Sequence, residues 1–442
     1  MHCISAGSSW GMRAFVCLML AGVAASAHAQ LRIRITSGVE RPVPIAIVPF
    51  GWQGSGGAAP FDLAAVITAD LGNSGRFAPL PTSDMVSRPT EPSQVNFQNW
   101  RLLETDVLLI GRIVEDGVDR YTIVFQLFDV LRGEQLLAFR VARAGAELRE
   151  TAHQIANMVF EKVTGIPGVF DTRIAYVTET GEGDAREYRL IVADADGENA
   201  RIIAESPQPL MSPAWSPDGR RVAYVSFEGN QSAIYLQTLR TGNREVVSRR
   251  AGVNGAPVFS PDGRQLALTL SLDGNLDLYT LDLATQVLRR ITENPAIDTE
   301  PVWSLDGRSL FFMSDRAGGP QIYRTEAVPG SRAERLTFEG RYNTRPRLSP
   351  DGRQLALIHR DASNNDRIAT FDIDTGLLQV LTDGRLDESP SYAPNGAVII
   401  YATRAGRQGV LASVSTDGRV RQQIAAAAGE VREPVWSPFS LP

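Results

Sequence analysis

Cysteine and histidine are the residues best suited to nucleophilic, metal-binding or acid-base work, and this 442-residue chain has two of the first and four of the second. Cys3, Cys17, His2 and His28 all fall in the first 29 residues, where Arg13 precedes an apolar run from Ala14 to Ala25. Ala27-His28-Ala29 then gives the small-x-small pattern of a signal-peptidase site, so cleavage is expected after Ala29. The apolar run is about half the roughly 20 residues that a membrane span needs, and no cysteine directly follows the cleavage site to carry a lipid. The mature chain is expected to be exported and soluble, without a thiol. Its imidazoles reduce to His153 and His359, which excludes a Cys/His metal cluster and leaves both as isolated structural or surface residues.

The remaining motifs that imitate chemistry have plainer readings. Gly7-Ser-Ser9-Trp-Gly11 spells a hydrolase elbow, but within the export signal. Gly54-Ser-Gly56-Gly-Ala-Ala59 imitates a dinucleotide fingerprint, yet Pro60 delays the following helix beyond the glycines, so a phosphate would miss its N-terminus and a flexible loop fits better. Asp218, Asp262, Asp306 and Asp351 could pass for carboxylate ligands, but each stands in an Asp-Gly pair, the signature of a tight turn.

The elements that must position any site fall into two grammars. Hydrophobic residues at 43% and charged residues at 21% are globular values, and a formal charge of −6 with no basic stripe argues against nucleic acid. Residues 30–167 read as a mixed α/β domain. Strands are expected at Leu31–Ile35, Pro44–Phe50, Val107–Val114, Tyr121–Val130 and Gln135–Arg143. Helices are expected at Phe61–Leu71, Phe97–Glu104 and Glu147–Val163, the last stopped by Gly165 and Pro167. From 168 to 442 a repeat takes over, anchored on Trp215, Phe259, Trp303, Leu348, Tyr392 and Trp436 at spacings of 44, 44, 45, 44 and 44 residues, each with a proline two positions earlier. Four short strands per period make a blade, and the sequence predicts a six-bladed β-propeller. The strand at Ile174–Val177 lacks a preceding anchor and the anchor at Trp436 lacks a following strand, so the C-terminal strand is expected to close the ring.

The loops before the prolines gather at one mouth of the channel. They read Leu210-Met-Ser212, Asn254-Gly-Ala256, Asp298-Thr-Glu300, Asn343-Thr-Arg345, Asp387-Glu-Ser389 and Val431-Arg-Glu433. A polar, acidic mouth suits a protein segment or a cation; alternatively the Asn and Asp residues only cap turns. Two other classes compete. A metal-dependent propeller hydrolase or lyase needs carboxylates or histidines clustered on inner strands, which here carry mostly Pro, Val, Ala, Ser and aromatic residues. A glycan-binding propeller wants aromatic platforms, absent from these six loops.

An export signal, an α/β domain and six repeats patterned on Pro-x-Trp-Ser-Pro-Asp-Gly together resemble the TolB family, periplasmic components of the Tol-Pal cell-envelope system. Val48-Pro-Phe50, Asn254-Gly-Ala-Pro257, Thr299-Glu-Pro-Val-Trp303, Leu386-Asp-Glu388 and Pro434-Val-Trp-Ser-Pro438 carry the likeness, which spans essentially the whole mature chain. The resemblance implies a non-enzymatic periplasmic adaptor that binds the peptidoglycan-associated lipoprotein Pal at the propeller mouth and TolA through its N-terminal segment, supporting outer-membrane integrity and constriction during cell division. Other envelope proteins are further candidate partners. By motif the Pal-facing positions are Ala256, Thr299 and Glu300, with Asp387 and Glu388, and with Asn254, Gly255 and Arg345 on the same loops. Val253 departs from the family pattern, in which histidine can precede Asn-Gly-Ala. The TolA-engaging segment is Leu31, Arg32, Ile33, Arg34 and Ile35, which reads independently as a strand able to add to a sheet edge. No cofactor is implied, calcium in the channel being the one ion the polar mouth would suit. Reversing the charge of Glu300 is expected to disturb binding and leave the core intact.

Overall fold

The computed structural model describes residues 41–439, so the expected export signal and the Leu31–Ile35 strand lie outside the described residues. The N-terminal sheet has six strands: β1 (Val43–Ile47), β2 (Gly51–Gln53), β3 (Phe77–Pro79), β4 (Val107–Gly117), β5 (Arg120–Asp129) and β6 (Glu134–Ala144). Their order is β3-β1-β4-β5-β6, with β2 also on β4. β1 runs parallel to β3 and β4, whereas β4, β5 and β6 form an antiparallel meander. The two strands that hydrophobic alternation does not announce, β2 and β3, are three residues each, too short to show a period.

Helices α1 (Leu63–Asn73) and α3 (Leu148–Thr164) cover one face of this sheet, and α2 (Phe97–Leu102) the other. Asp62 caps α1 by accepting the Ala65 N–H at 3.0 Å, so the glycine loop at 54–57 ends well short of the helix N-terminus. That loop folds back instead onto Glu115, whose Oε2 accepts both the N–H and the hydroxyl of Ser55 at 2.6 and 2.7 Å. α3 ends where Gly165 takes the left-handed conformation, φ 75°.

Six four-stranded antiparallel sheets follow, one per blade. The C-terminal strand Glu430–Trp436 is the inner strand of the blade that begins at Arg173–Thr180, with Val435 opposite Ala175 and Trp436 opposite Ile174. Each Ser-x-Asp-Gly-Arg turn is tied the same way. Ser260 Oγ donates to Asp262 Oδ1 at 2.6 Å and accepts the Gln265 N–H at 3.0 Å, while the Arg264 N–H donates to the same carboxylate at 3.1 Å. The tryptophans staple neighbouring blades, Trp215 Nε1 to the Val435 carbonyl and Trp303 Nε1 to the Val258 carbonyl, both at 3.3 Å.

Because inner strands run from the mouth to the Asp-Gly turns, those turns mark the opposite face. The α/β domain packs there. Asn395 Nδ2 donates to the Pro167 carbonyl at 2.8 Å, Arg76 approaches Asp417 at 3.5 Å, and Arg149 on α3 grips Asp194 and Asp196 at 3.3 and 2.5 Å. The mouth and the α/β domain therefore occupy opposite ends of the propeller.

Hydroxyls of Ser260, Ser304 and Ser349, with the following arginine N–H groups, hold the carboxyls of Asp262, Asp306 and Asp351 below their ordinary value of 3.8. A depressed carboxyl stabilises the fold fully above its unfolded pKa and loses that contribution as pH falls through the folded value. The thermal midpoint along a pH series is expected to hold level down to about pH 4 and then drop. A midpoint already falling near neutral pH would assign acid stability to other groups.

Candidate functional site

Every inner strand bulges at the residue before its proline. Ser212, Ala256, Glu300, Arg345, Ser389 and Glu433 have φ values of 49, 46, 56, 51, 56 and 51°, the left-handed region that a non-glycine residue seldom enters. The ladder to the second strand breaks at the same place in all six blades, for example between Gly255 and Val258 and between Thr299 and Val302. A bulge re-aims a side chain, and here the six bulged residues line one central cavity of about 260 Å³.

Charges inside that ring are paired. Arg345 Nε lies 3.3 Å from Glu300 Oε1, its Nη2 donates to Glu433 Oε1 at 3.0 Å, and its Nη1 donates to the Ser389 hydroxyl. Glu300 Oε2 also accepts the Arg345 N–H at 2.8 Å, and Glu433 Oε2 accepts the Ser212 N–H. Burial works against the charge on Arg345, but Glu433 and Glu300 outweigh it and push the guanidinium pKa up. Below this ring Arg347 lines the same cavity, and burial pushes its pKa down.

This arrangement corrects three expectations. Asn254 and Asp387 are not mouth groups open to a partner, since both are sealed from solvent. Asn254 accepts from the Ser248 hydroxyl at 2.7 Å and the Arg250 N–H at 3.0 Å, and Asp387 accepts from the Thr403 hydroxyl at 2.6 Å and the Gly384 N–H at 3.2 Å. Asp298 and Asn343 are buried in the same way, on Arg316 and on Gln321 with His359. Asn343 spends its amide on Gln321 and Glu339, so its oxygen accepts from His359 Nδ1. The opening Asn and Asp residues thus fasten turns. Secondly, Glu300 is not a free charge on a loop: its side chain is 22% exposed and locked to Arg345. Thirdly, calcium fits poorly, because it wants six to eight oxygens and both carboxylates of the channel already hold a guanidinium.

Of the other expected residues, Ala256, Glu300 and Arg345 meet in the cavity, whereas Gly255, Thr299 and Glu388 stay half-buried beside it. Ser212, Ser389, Glu433 and Arg347 line it as well. Their sequence signal was available, since each stands just before or after a repeat proline. The residues just outside the inner strands, of which the sequence motifs pointed to Val253 and Leu386, form a second set. Val253, Ile297 and Leu386 hold the same repeat position on three blades and are 45, 38 and 36% exposed. Tyr342 holds it on the blade between Ile297 and Leu386, stacked under the Arg360 guanidinium at 3.9 Å, and Phe338 on that blade is 73% exposed. The mouth is an apolar arc around a charge-balanced centre.

Comparison with known proteins places this geometry. The family model described as the TolB beta propeller domain matches residues 160–440, and that of the TolB amino-terminal domain matches residues 31–136. The Tol-Pal system protein TolB of Xanthomonas euvesicatoria pv. vesicatoria (strain 85-10) is 50% identical over 430 residues, covering 97% of this chain and 98% of that one. The chain belongs to the TolB family. The TolB of Xanthomonas campestris pv. campestris (strain B100) is 51% identical over 419 residues, 94% of this chain and 95% of the other. A crystal structure of TolB from Acinetobacter baumannii superimposes with a TM-score of 0.82 at 40% identity, over 90% of this chain and 97% of that one. This TolB-family chain is accordingly a Tol-Pal system protein of the cell envelope with a six-bladed propeller and a separate α/β domain. Among its described residues no helix is long and apolar enough to cross a membrane.

Glu300→Arg is expected to lower stability by about 2 kcal/mol, between the values for exposed and buried pairs, because it sets a second cation against Arg345. Glu300→Gln should cost less, since its amide oxygen can still accept the Arg345 N–H. Equal denaturation midpoints for the two variants and the parent would show that the ring carries no such coupling.

Proposed function

We propose that this protein is a non-enzymatic periplasmic adaptor that binds Pal through the propeller mouth and TolA through Leu31–Ile35, linking envelope layers for outer-membrane integrity and for constriction during cell division. The observation that carries this reading is the apolar arc of exposed Val253, Ile297 and Leu386 with half-buried Tyr342, on the face remote from the α/β domain. Exposed apolar side chains set around a network of satisfied charged groups have the mixed composition of a protein-binding patch. Tying Glu300 and Glu433 to Arg345 makes the channel a support for that patch rather than a source of free carboxylates. The likeness to the Tol-Pal system protein TolB of Xanthomonas euvesicatoria supports partners within that system. Of the earlier candidates, Ala256 and Thr299 stay at the mouth as contacts, and Glu300 and Arg345 act by shaping it. The export signal ending at Ala29 and the periplasmic location belong to the same proposal.

Phe338 and Tyr342 also favour a second reading, a glycan ligand, because they give the mouth the aromatic surface that its six openings lack.

Calorimetry of residues 30–442 with the soluble domain of Pal from the same organism should give saturable one-to-one binding. Val253→Asp and Ile297→Asp change exposed side chains, so the fold should persist while affinity drops by about tenfold or more. Unchanged affinity in both would move the site elsewhere, and heat on titrating muropeptides in place of Pal would favour the glycan. Deleting Leu31–Ile35 should remove TolA binding and spare Pal; loss of both would point to a shared site.

A further inference from the structure

The seam between the α/β domain and the propeller contains chemistry that the mouth does not use. His153, on α3, is 2% exposed, and its Nδ1 lies 2.7 Å from Asp70 Oδ2 on α1. Its Nε2 is shut off from solvent and has no hydrogen-bond partner, a rare state for a buried ring nitrogen. Asp196, from the propeller turn after Glu187–Asp194, joins them, and the three residues each offer a ligand atom within 4.8 Å of the other two.

We propose that this seam is a binding site for one divalent transition-metal ion of the zinc class, held by His153, Asp70 and Asp196. One imidazole with two carboxylates is a donor set that suits zinc, cobalt or manganese. His153 and Asp70 already touch at 2.7 Å, and the Asp196 carboxylate lies within 4.8 Å of both, a span that one ion can bridge.

Local charge points the same way. Asp70, Asp194 and Asp196 bring three carboxylates to the seam, where Arg149 pairs with two of them and Arg173 also acts on Asp194. A divalent ion would sit among these carboxylates. Its competitor is Arg149, whose Nη2 bonds Asp196 at 2.5 Å. That side chain is 24% exposed and would keep its contact with Asp194 at 3.3 Å when displaced. Because the ligands come from two helices of one domain and a turn of the other, the ion would staple the domains together. His153 stands between two other seam contacts on α3. Arg149 precedes it by one turn, and Asn157 follows by one, holding the linker through the Phe170 N–H at 2.8 Å.

The test uses the tag-free chain of residues 30–442, stripped with EDTA and dialysed against zinc. The expected result is one zinc per chain by elemental analysis, with a thermal midpoint about 3 °C higher at a hundredfold excess over the dissociation constant. Cobalt in place of zinc should give a visible ligand-field spectrum. His153→Gln and the half-buried Asp196→Asn should each lose the metal and the shift. Asp196→Asn removes no core group, so it keeps the test decisive if His153→Gln fails to fold. No retained metal in the parent, or stoichiometric metal in both variants, overturns the proposal. So does a midpoint that responds to pH alone, which would mean that a proton on His153 meets the charge.

Discussion

Placing a bulge one residue before each proline is the constraint on which the propeller's working end depends. A non-glycine residue in the left-handed region costs on the order of 1–3 kcal/mol and persists only where its surroundings over-determine it. Here proline fixes the next φ, and the inner strand is paired to its neighbour on both sides of the break. The backbone device is identical in six blades, so the side chain it turns into the lumen is free to differ. Ser, Ala, Glu, Arg, Ser and Glu occupy the six places, and the charged three form one network.

That network is a shaping element more than a source of stability. Partly buried ion pairs contribute modest net free energy, because desolvation offsets much of the attraction, whereas an unpaired charge in the same place is costly. Arg345 is held at one position because it answers two carboxylates and a hydroxyl from three other blades. Around it the buried Asn and Asp residues fix the turns, and the rim still open to a partner mixes Val253, Ile297 and Leu386 with exposed charges such as Glu339, Arg341 and Arg385. The Asn and Asp residues that look polar in sequence are thus spent on the fold, while apolar residues beside them stay open.

The repeat register, the six blades, the closing strand and the three helices could be read from spacing and periodicity alone, because each rests on local patterns. Long-range partners could not. Nothing in Asn254 or Asp387 distinguishes a ligand contact from a buried cap, and only the positions of Ser248 and Thr403 decide it. The left-handed bulges carry no glycine to announce them. His153 and Asp70 are 83 positions apart, and Asp196 belongs to the other domain, so their meeting depends on how the domains dock. Val253, Ile297 and Leu386 looked ordinary singly and became an arc once the repeat was wrapped into a ring.

The closing strand also sets an order of events. The blade begun at Arg173–Thr180 receives its inner strand from Glu430–Trp436, more than two hundred and fifty residues later. A chain made from its N-terminus can fold five blades as it grows, but that first edge stays unpaired until the final residues arrive. An exposed strand edge is a template for other chains. A chain that lacks Glu430–Trp436 therefore presents that first-blade edge as an adhesive open arc.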